Sequence, residues 1–218
     1  FGFAPLQIVP AVLLSEFITG LLAGFTHHSM GNVTLIPKKI RISQIIRKLG
    51  EYGIREGFKH GITKHLKITL VIASCSIVGT VVSVFIAVNI PALFVKLYIG
   101  IIVLVIGAVI IMTLNKQYRF SWKRIIGLGI IASFNKGISG GGYGPVVTGG
   151  QLLAGVEGRN AVGITSLAEG LTCAVGVALY LGLRGSMDWG LAFFLVAGGV
   201  LSVPLSAFSV KKITAANL

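Results

Sequence analysis

The stretch that decides the fold is residues 68–88, ITLVIASCSIVGTVVSVFIAV, which contains 21 residues and no charged side chain. As an α-helix it would be about 31 Å long, because each residue adds about 1.5 Å. The hydrocarbon core of a bilayer is about 30 Å thick. The sequence therefore predicts a membrane-spanning helix here.

Four further stretches share this length and apolar character, so five full spans are predicted. These four cover residues 3–25, 92–114, 161–183 and 190–210. The composition agrees, since 54% of the 218 residues are hydrophobic and 11% are charged, whereas soluble domains carry about 25% charged residues. An ordinary soluble domain and a disordered chain are both excluded. We expect an all-α, polytopic integral membrane protein in contact with membrane lipid.

The net charge of +13 is explained by where the basic residues lie. Nine of the 19 Lys and Arg residues fall between residues 33 and 67. Basic loops stay on the cytoplasmic side of a membrane, so this segment is predicted to be a basic cytoplasmic insertion, and no nucleic-acid partner is expected. Lys211 and Lys212 assign the end of the last span to the same side. The spans 3–25 and 161–183 are then predicted to run in opposite directions.

Residues 125–155 do not match a single span. An apolar piece from Ile125 to about Phe134 leads into NKGISGGGYGP, residues 135–145, and a second short piece follows at residues 146–156. The positions of the basic residues assign both ends of this region to the cytoplasmic side of the membrane. Arms of about ten to thirteen residues are too short to cross the membrane. We therefore predict a re-entrant hairpin with a glycine-rich turn near mid-membrane. A kinked helix followed by a loop is the alternative.

Two of the six acidic residues occupy corresponding positions in an internal repeat. VPAVLLSEFIT at residues 9–19 and VGITSLAEGLT at residues 162–172 share Val, Leu, Glu and Thr at an offset of 153 residues. Because the two spans are predicted to run in opposite directions, the pattern favours an inverted-topology repeat. The repeats would be residues 1–114 and 115–218. We expect a matching hairpin before Phe1 and a matching helix beyond Leu218.

The shared glutamates are Glu16 and Glu169, each near the middle of an apolar span. An ionisable group there is costly and usually faces the protein interior or a water-filled cavity. We expect these residues to carry coupling protons or to form charge pairs with Lys136; a protonated Glu bonded to a neighbouring helix is the alternative. Hydroxyl groups within one turn of each Glu are expected to line a substrate path. They belong to Ser15, Thr19, Thr165 and Ser166.

The glycine run predicts an anion-binding site. Consecutive glycines expose backbone N–H groups that can form an anion-binding nest, and Pro145 suits the first turn of a following helix, whose N-terminus is positive. Lys136 adds a full positive charge. The predicted binding residues are Asn135, Lys136, Ser139, Gly140, Gly141 and Gly142. A flexible hinge or close helix packing is the alternative for the glycines.

Four residues near the predicted inner surface are candidate gate residues. His27, His28 and Asn32 follow the first span, and Arg159 precedes the span 161–183. Interface packing for the histidines and a membrane anchor for Arg159 are the alternatives. Two histidines do not supply the ligand set of a metal site, and no nucleophile–base pair is evident. We therefore predict no metal, no cofactor and no catalytic residue.

These motifs resemble those of a known family. NKGISGGGYGP and the following RNAVGITS, residues 159–166, resemble the second-repeat signature of the sulfite exporter TauE/SafE family of membrane permeases. Residues 14–32 resemble the family's first-repeat segment, whereas about residues 35–65 look like an insertion. The resemblance implies an inverted repeat with a glycine-rich motif in each half, a bacterial or archaeal inner membrane, and movement of small sulfur-containing anions. The first-half glycine motif is absent here and is expected before Phe1.

The motifs thus predict a secondary transporter of a small anion, and the resemblance implies export of a sulfur oxyanion such as sulfite, sulfoacetate or another organosulfonate. It would work by alternating access around a site at mid-membrane. We do not expect an enzyme, and a homodimer is an assembly that the sequence allows. A different class stays open, a non-transporting membrane subunit that docks a cytoplasmic partner through residues 33–67. Deleting that segment would separate the two, because a transporter should keep some flux without it.

Overall fold

The structure is a computed structural model that describes residues 5–36, 62–113, 119–139, 142–184 and 187–212. Within these ranges it is helical and contains no β-strand, so the predicted all-α class is confirmed. Most of the predicted basic insertion, residues 37–61, lies outside the described ranges. The helices are, in chain order, α1 (Pro5–Ser29), α2 (Lys64–Asn89), α3 (Ala92–Thr113), α4 (Trp122–Ser139), α5 (Tyr143–Leu153), α6 (Gly158–Arg184) and α7 (Trp189–Lys212).

The long helices have the dimensions of membrane spans. Helices α1, α2, α6 and α7 are each long and apolar enough to cross a bilayer. Residues 92–113 of the predicted span 92–114 form the continuous helix α3 of 22 residues, about 33 Å long. Large apolar side chains are exposed on several helices. In a membrane they would face the hydrocarbon chains of the lipids, where apolar side chains are favourable. Examples are Phe85 of α2, Leu93 and Phe94 of α3, and Phe193 and Phe194 of α7.

Helices α1 and α6 pack closely and run antiparallel. Leu13, in the first half of α1, contacts Gly176 in the second half of α6. His27, near the end of α1, contacts Gly163 near the start of α6. An inverted-topology repeat requires this antiparallel relation, and the repeat itself stays a prediction.

The close approach of α1 and α6 depends on two glycines. A Cβ atom added to Gly20 would lie 2.7 Å from the Ser166 carbonyl oxygen. One added to Gly170 would lie 2.8 Å from the Leu21 backbone nitrogen. Both distances are far shorter than van der Waals contact between backbone and side-chain atoms. Only glycine therefore lets the two helices cross at this separation.

Helices α2 and α4 form a second close pair and run parallel. Gly129 lies against Ile72 in the first half of α2, and Gly137 lies against Ser83, which is about three turns further along α2, while Gly137 is about two turns further along α4. Helix α6 joins the pair, because Tyr180 Oη donates a 2.9 Å hydrogen bond to the Gly137 carbonyl oxygen.

Helices α4 and α5 form a hairpin whose two ends meet. The Ser121 N–H donates to the Ala154 carbonyl oxygen at 3.1 Å. Arg124 Nη1 donates to the Leu153 carbonyl oxygen at 2.9 Å. The start of α4 and the end of α5 therefore lie at the same end of the helix bundle, as expected of a re-entrant hairpin.

Helix α5 begins near the middle of the bundle. Tyr143 Oη donates to Ser76 Oγ at 2.9 Å, because the Ser76 hydroxyl itself donates to the Gly129 carbonyl oxygen at 3.2 Å. Ser76 lies halfway along the 26-residue helix α2. The hairpin thus brings a helix N-terminus to mid-membrane depth.

The first arm of the hairpin is longer than predicted. We expected it to end at about Phe134, but α4 continues to Ser139 and has 18 residues, about 27 Å. The added turn contains Lys136, whose charge is paired with two carboxylates. The turn into α5 passes through Gly142, whose φ of 75° is left-handed and costs glycine little. The second arm, α5, has 11 residues, within the predicted range.

Candidate functional site

Three charged side chains meet in the middle of the bundle. Lys136 Nζ donates hydrogen bonds to Glu16 Oε2 and, at 2.7 Å, to Glu169 Oε1. The Lys136 side chain is completely buried, whereas the side chains of Glu16 and Glu169 are 29% and 18% exposed. We call these three residues the charged triad. The geometry brings each glutamate into a charge pair with Lys136, one of the two roles predicted for them.

The triad is assembled from three helices. Glu16 lies halfway along α1, Glu169 lies near the middle of α6, and Lys136 lies in the last turn of α4. A lone ammonium at this depth would be costly, and a buried charge is tolerated when it is paired and hydrogen-bonded. Because two carboxylates face one ammonium, the fully ionised triad has a net negative charge.

A cavity of about 180 Å³ lies beside the triad, between α1, α6 and α7. It has room for several water molecules or a small ion. Lys136 lies behind the carboxylates and is not part of the cavity wall. The lining residues are Glu16, Thr19, Gly20, Ala23, His27, Val162, Ser166, Glu169, Gly199, Ser202, Val203 and Ser206.

Two of the four residues predicted to line a substrate path reach this cavity. Thr19 and Ser166 line it. Thr165 instead faces α5, where its Oγ1 accepts a 2.7 Å hydrogen bond from Gln151 Nε2. Ser15 is buried close to α7, outside the cavity lining. Two of the four predicted hydroxyl residues therefore belong to the cavity wall, and the other two lie in contacts between helices.

The predicted anion nest is described in part. Gly140 and Gly141 lie outside the described residues, and Ser139 is the last residue of α4. Gly142 is the N-cap of α5. A Cβ atom added there would lie 2.8 Å from Asn135 Nδ2, so the Asn135 amide covers this turn.

The protein's own carboxylate faces the start of α5. A Cβ atom added to Gly144, in the first turn of α5, would lie 3.9 Å from Glu169 Oε2. The other oxygen of Glu169 accepts from Lys136. A helix N-terminus is positive, so Glu169 lies between two sources of positive potential. This is the place where the sequence predicted a substrate anion.

Asn32 connects the end of α1 to α7. Its Nδ2 donates to the Ala207 carbonyl oxygen at 2.8 Å and lies 3.0 Å from His27 Nδ1. Because a carbonyl oxygen can only accept, the amide orientation is determined, and His27 Nδ1 accepts the second hydrogen of the amide. The neutral His27 ring then carries its proton on Nε2. We call this arrangement the Asn32 latch.

The other two candidate gate residues are further from the cavity. His28 Nδ1 lies 3.2 Å from the Val33 carbonyl oxygen and 3.3 Å from the Leu35 nitrogen, in the segment after α1. Arg159 lies in the first turn of α6. Of the four candidate gate residues, His27 lines the cavity, and Asn32 holds the His27 ring.

Replacing Asn32 with alanine is expected to lower the free energy of unfolding by about 1–3 kcal/mol. His27 Nδ1 loses its donor, and the Ala207 carbonyl loses the hydrogen bond that it accepts from outside its own helix. Thermal unfolding in detergent measures the change. Asn89→Ala is the matched control, because the Asn89 amide is exposed and bonds its own helix at Phe85. Equal shifts in the two variants would contradict the latch.

Sequence reasoning missed the contribution of α7. Gly199, Ser202 and Ser206 line the cavity, and a signal for the two serines was available. They are four residues apart in an apolar span and therefore share one helix face. Cys173 was also missed as a neighbour of the site. Its Sγ lies 3.7 Å from Glu16 Oε2, a contact between helices that no spacing rule reveals.

The long apolar helices, the hairpin whose second helix begins at mid-depth and the buried charged triad define a polytopic membrane protein with a polar site in its interior. Residues 52–218 match the family model "Sulfite exporter TauE/SafE". The chain therefore belongs to the sulfite exporter TauE/SafE family and is an integral membrane protein, as its motifs predicted.

One curated relative is the "Probable membrane transporter protein YtnM" of Bacillus subtilis (strain 168), which is 26% identical over 225 residues. The alignment covers 97% of this chain and 64% of the relative's length. No solved structure matches the chain. The names of the family and of the relative both point to transport across a membrane.

Proposed function

We propose that this protein is a secondary transporter, an exporter of small sulfur-containing anions such as sulfite, sulfoacetate and other organosulfonates, and that the cavity beside the charged triad is its substrate site. The observation that carries the proposal is the fully buried Lys136 at mid-membrane depth, held by two glutamates that line the cavity. A lysine at this depth is costly and marks a functional pathway by default.

The surroundings of the cavity suit an oxyanion. Sulfite and sulfonate groups accept hydrogen bonds, and the cavity wall offers the hydroxyl groups of Thr19, Ser166, Ser202 and Ser206. The positive end of α5 and the Lys136 ammonium lie just behind Glu169. An anion gains access to that positive potential when a carboxylate of the triad withdraws.

The helix packing supports alternating access around this site. Helices α1 and α6 cross at Gly20 and Gly170 with their backbones in close approach, and the Asn32 latch ties α1 to α7 at one end of the cavity. Breaking the latch while the glycine crossing stays intact would open the cavity toward that end. Transporters with inverted repeats carry substrate by rocking of this kind.

Flux measurements in proteoliposomes test the function. Vesicles that contain the purified protein are loaded with labelled sulfite, taurine or sulfoacetate, and efflux is followed against protein-free vesicles. We expect efflux of at least one of these compounds that unlabelled sulfite inhibits. Efflux equal to that of protein-free vesicles for all three would overturn the proposal.

Replacing Ser206 with leucine is expected to lower flux about tenfold, because the larger side chain fills part of the cavity and removes a hydroxyl donor. Ser209→Leu is the matched control on the same helix. Ser209 is exposed and bonds the carbonyl of Leu205 in its own helix, so its replacement should leave flux unchanged. A similar loss in both variants would show that leucine perturbs α7 and not the cavity.

A further inference from the structure

The charged triad contains two carboxylates and one ammonium, and this imbalance of charge acts on any anion in the cavity. Glu16 and Glu169 line the cavity, whereas Lys136 is completely buried behind them. With all three groups ionised the triad is net negative. In surroundings of low dielectric this repels an anion strongly, and protonation of one carboxylate removes the repulsion. The other carboxylate then balances Lys136.

The two carboxylates are not equivalent. Glu169 accepts from Lys136 at 2.7 Å through one oxygen and faces the first turn of α5 at Gly144 with the other. Glu169 therefore lies between two sources of positive potential. Glu16 has the more exposed side chain, 29% against 18%. Glu16 is thus the carboxylate that water in the cavity reaches more readily.

Few other ionisable groups of the described residues face the triad. They are Cys173 of α6, 3.7 Å from Glu16; His27 of α1, in the cavity wall; and Tyr143 of α5, whose ring centre lies 6.0 Å from Lys136 Nζ. The residues that α7 contributes to the cavity wall are Gly199, Ser202, Val203 and Ser206, and α2 meets Tyr143 through the hydroxyl of Ser76. Besides the two glutamates, His27 is therefore the ionisable side chain that lines the described cavity wall, and it is the rival proton carrier.

We propose that the cavity binds a small anion and a proton together, with Glu16 as the proton carrier and Glu169 as the fixed counterion of Lys136. This inference rests on the proposed function, since it takes the cavity to be the anion site. The Glu16 carboxylate accepts a proton from water in the cavity and returns it to water when the anion leaves. Protonation also ends the competition of Glu16 for Lys136, so that an N–H of the ammonium can turn to the anion.

Isothermal titration calorimetry on the purified chain tests the proposal. The probes are sulfite, sulfate and methanesulfonate; the last stays fully ionised near neutral pH and brings no proton of its own. Titrations in two buffers of different ionisation enthalpy give the number of protons taken up. We expect about one proton per methanesulfonate, and an affinity that falls about tenfold per pH unit above the range in which Glu16 ionises, because binding needs the protonated form.

Variants assign the carrier. Glu16→Gln should bind methanesulfonate at least as tightly as the wild type, without proton uptake and independently of pH. Glu169→Gln should bind at least about tenfold more weakly, because Glu16 then stays on Lys136 as its remaining counterion. His27→Gln should keep the pH slope of the wild type.

Several outcomes would overturn the proposal. Anion binding by the wild type without proton uptake excludes the coupling, and a pH slope lost in His27→Gln reassigns the carrier to His27. Tight, proton-free binding by Glu169→Gln together with weak binding by Glu16→Gln reverses the two roles. The wild-type proton count and His27→Gln decide the question even where Glu16→Gln does not fold. Absence of binding by all three probes would overturn the proposed function, and this inference with it.

Discussion

Replacing Lys136 with alanine is expected to abolish transport, with flux through reconstituted vesicles falling at least about 100-fold. The substitution removes the positive charge of the site and leaves Glu16 and Glu169 facing each other in the membrane interior. Removing one partner of a buried ion pair typically costs about 3–5 kcal/mol. The melting temperature in detergent should therefore fall together with the flux.

Two variants separate loss of the site from loss of the fold. Lys136→Ala combined with Glu16→Gln and Glu169→Gln leaves no unpaired charge, so stability should recover while transport does not. Lys123→Ala removes an exposed charge near the start of the same helix and should leave flux unchanged. Flux at the wild-type level in Lys136→Ala would refute the assignment of the cavity as the anion site.

Replacing Gly170 with alanine is expected to lower the free energy of unfolding by about 1–3 kcal/mol and flux at least about tenfold. The added Cβ atom would lie 2.8 Å from the Leu21 nitrogen. Because that nitrogen belongs to the backbone of α1, the two helices have to separate. Their separation moves Glu16 away from Glu169, which lies next to the substituted residue. Thermal unfolding and vesicle flux measure the two effects.

Gly182→Ala is the matched control in the same helix. A Cβ atom added to Gly182 has no neighbour within 4 Å, and alanine is the better helix former by up to about 1 kcal/mol. This variant should be as stable as the wild type or more so. If Gly170→Ala behaves in the same way, the crossing of α1 and α6 tolerates a side chain, and glycine is not what sets their separation.

The apolar runs were enough to predict the helical class, and the basic residues were enough to predict that α1 and α6 run in opposite directions. Residues 68–88 form most of α2, and the antiparallel packing of α1 and α6 agrees with the directions assigned from charge. These features are local, since they depend on the length of a run and on the charge of its flanks. The same reasoning ended α4 too early. Lys136 is a poor residue for the membrane interior on its own, and its partners come from α1 and α6.

The candidate site, too, could be predicted only in part. Glu16 and Glu169 could be singled out because an acidic residue inside an apolar span is conspicuous. Their meeting at one ammonium depends on how three helices pack, and the sequence left coupling and charge pairing as equal roles. Thr165 shows the reverse case, because it shares a span with Glu169 and yet bonds Gln151 of α5. Proximity along a helix does not tell which face reaches the cavity.

The pairing of Lys136 also bears on how the protein is assembled in the membrane. Helix α4 is not one of the four described helices that are long and apolar enough to cross a bilayer, and a lysine placed near the middle of the bilayer costs about 2.5–3.5 kcal/mol. Glu16 is synthesised 120 residues before Lys136, but Glu169 follows it by 33 residues. When α4 leaves the ribosome, one of its two counterions does not yet exist. We expect the α4–α5 hairpin to leave the translocon late and to settle into the bilayer together with α6, so that the ion pairs set the order of biogenesis.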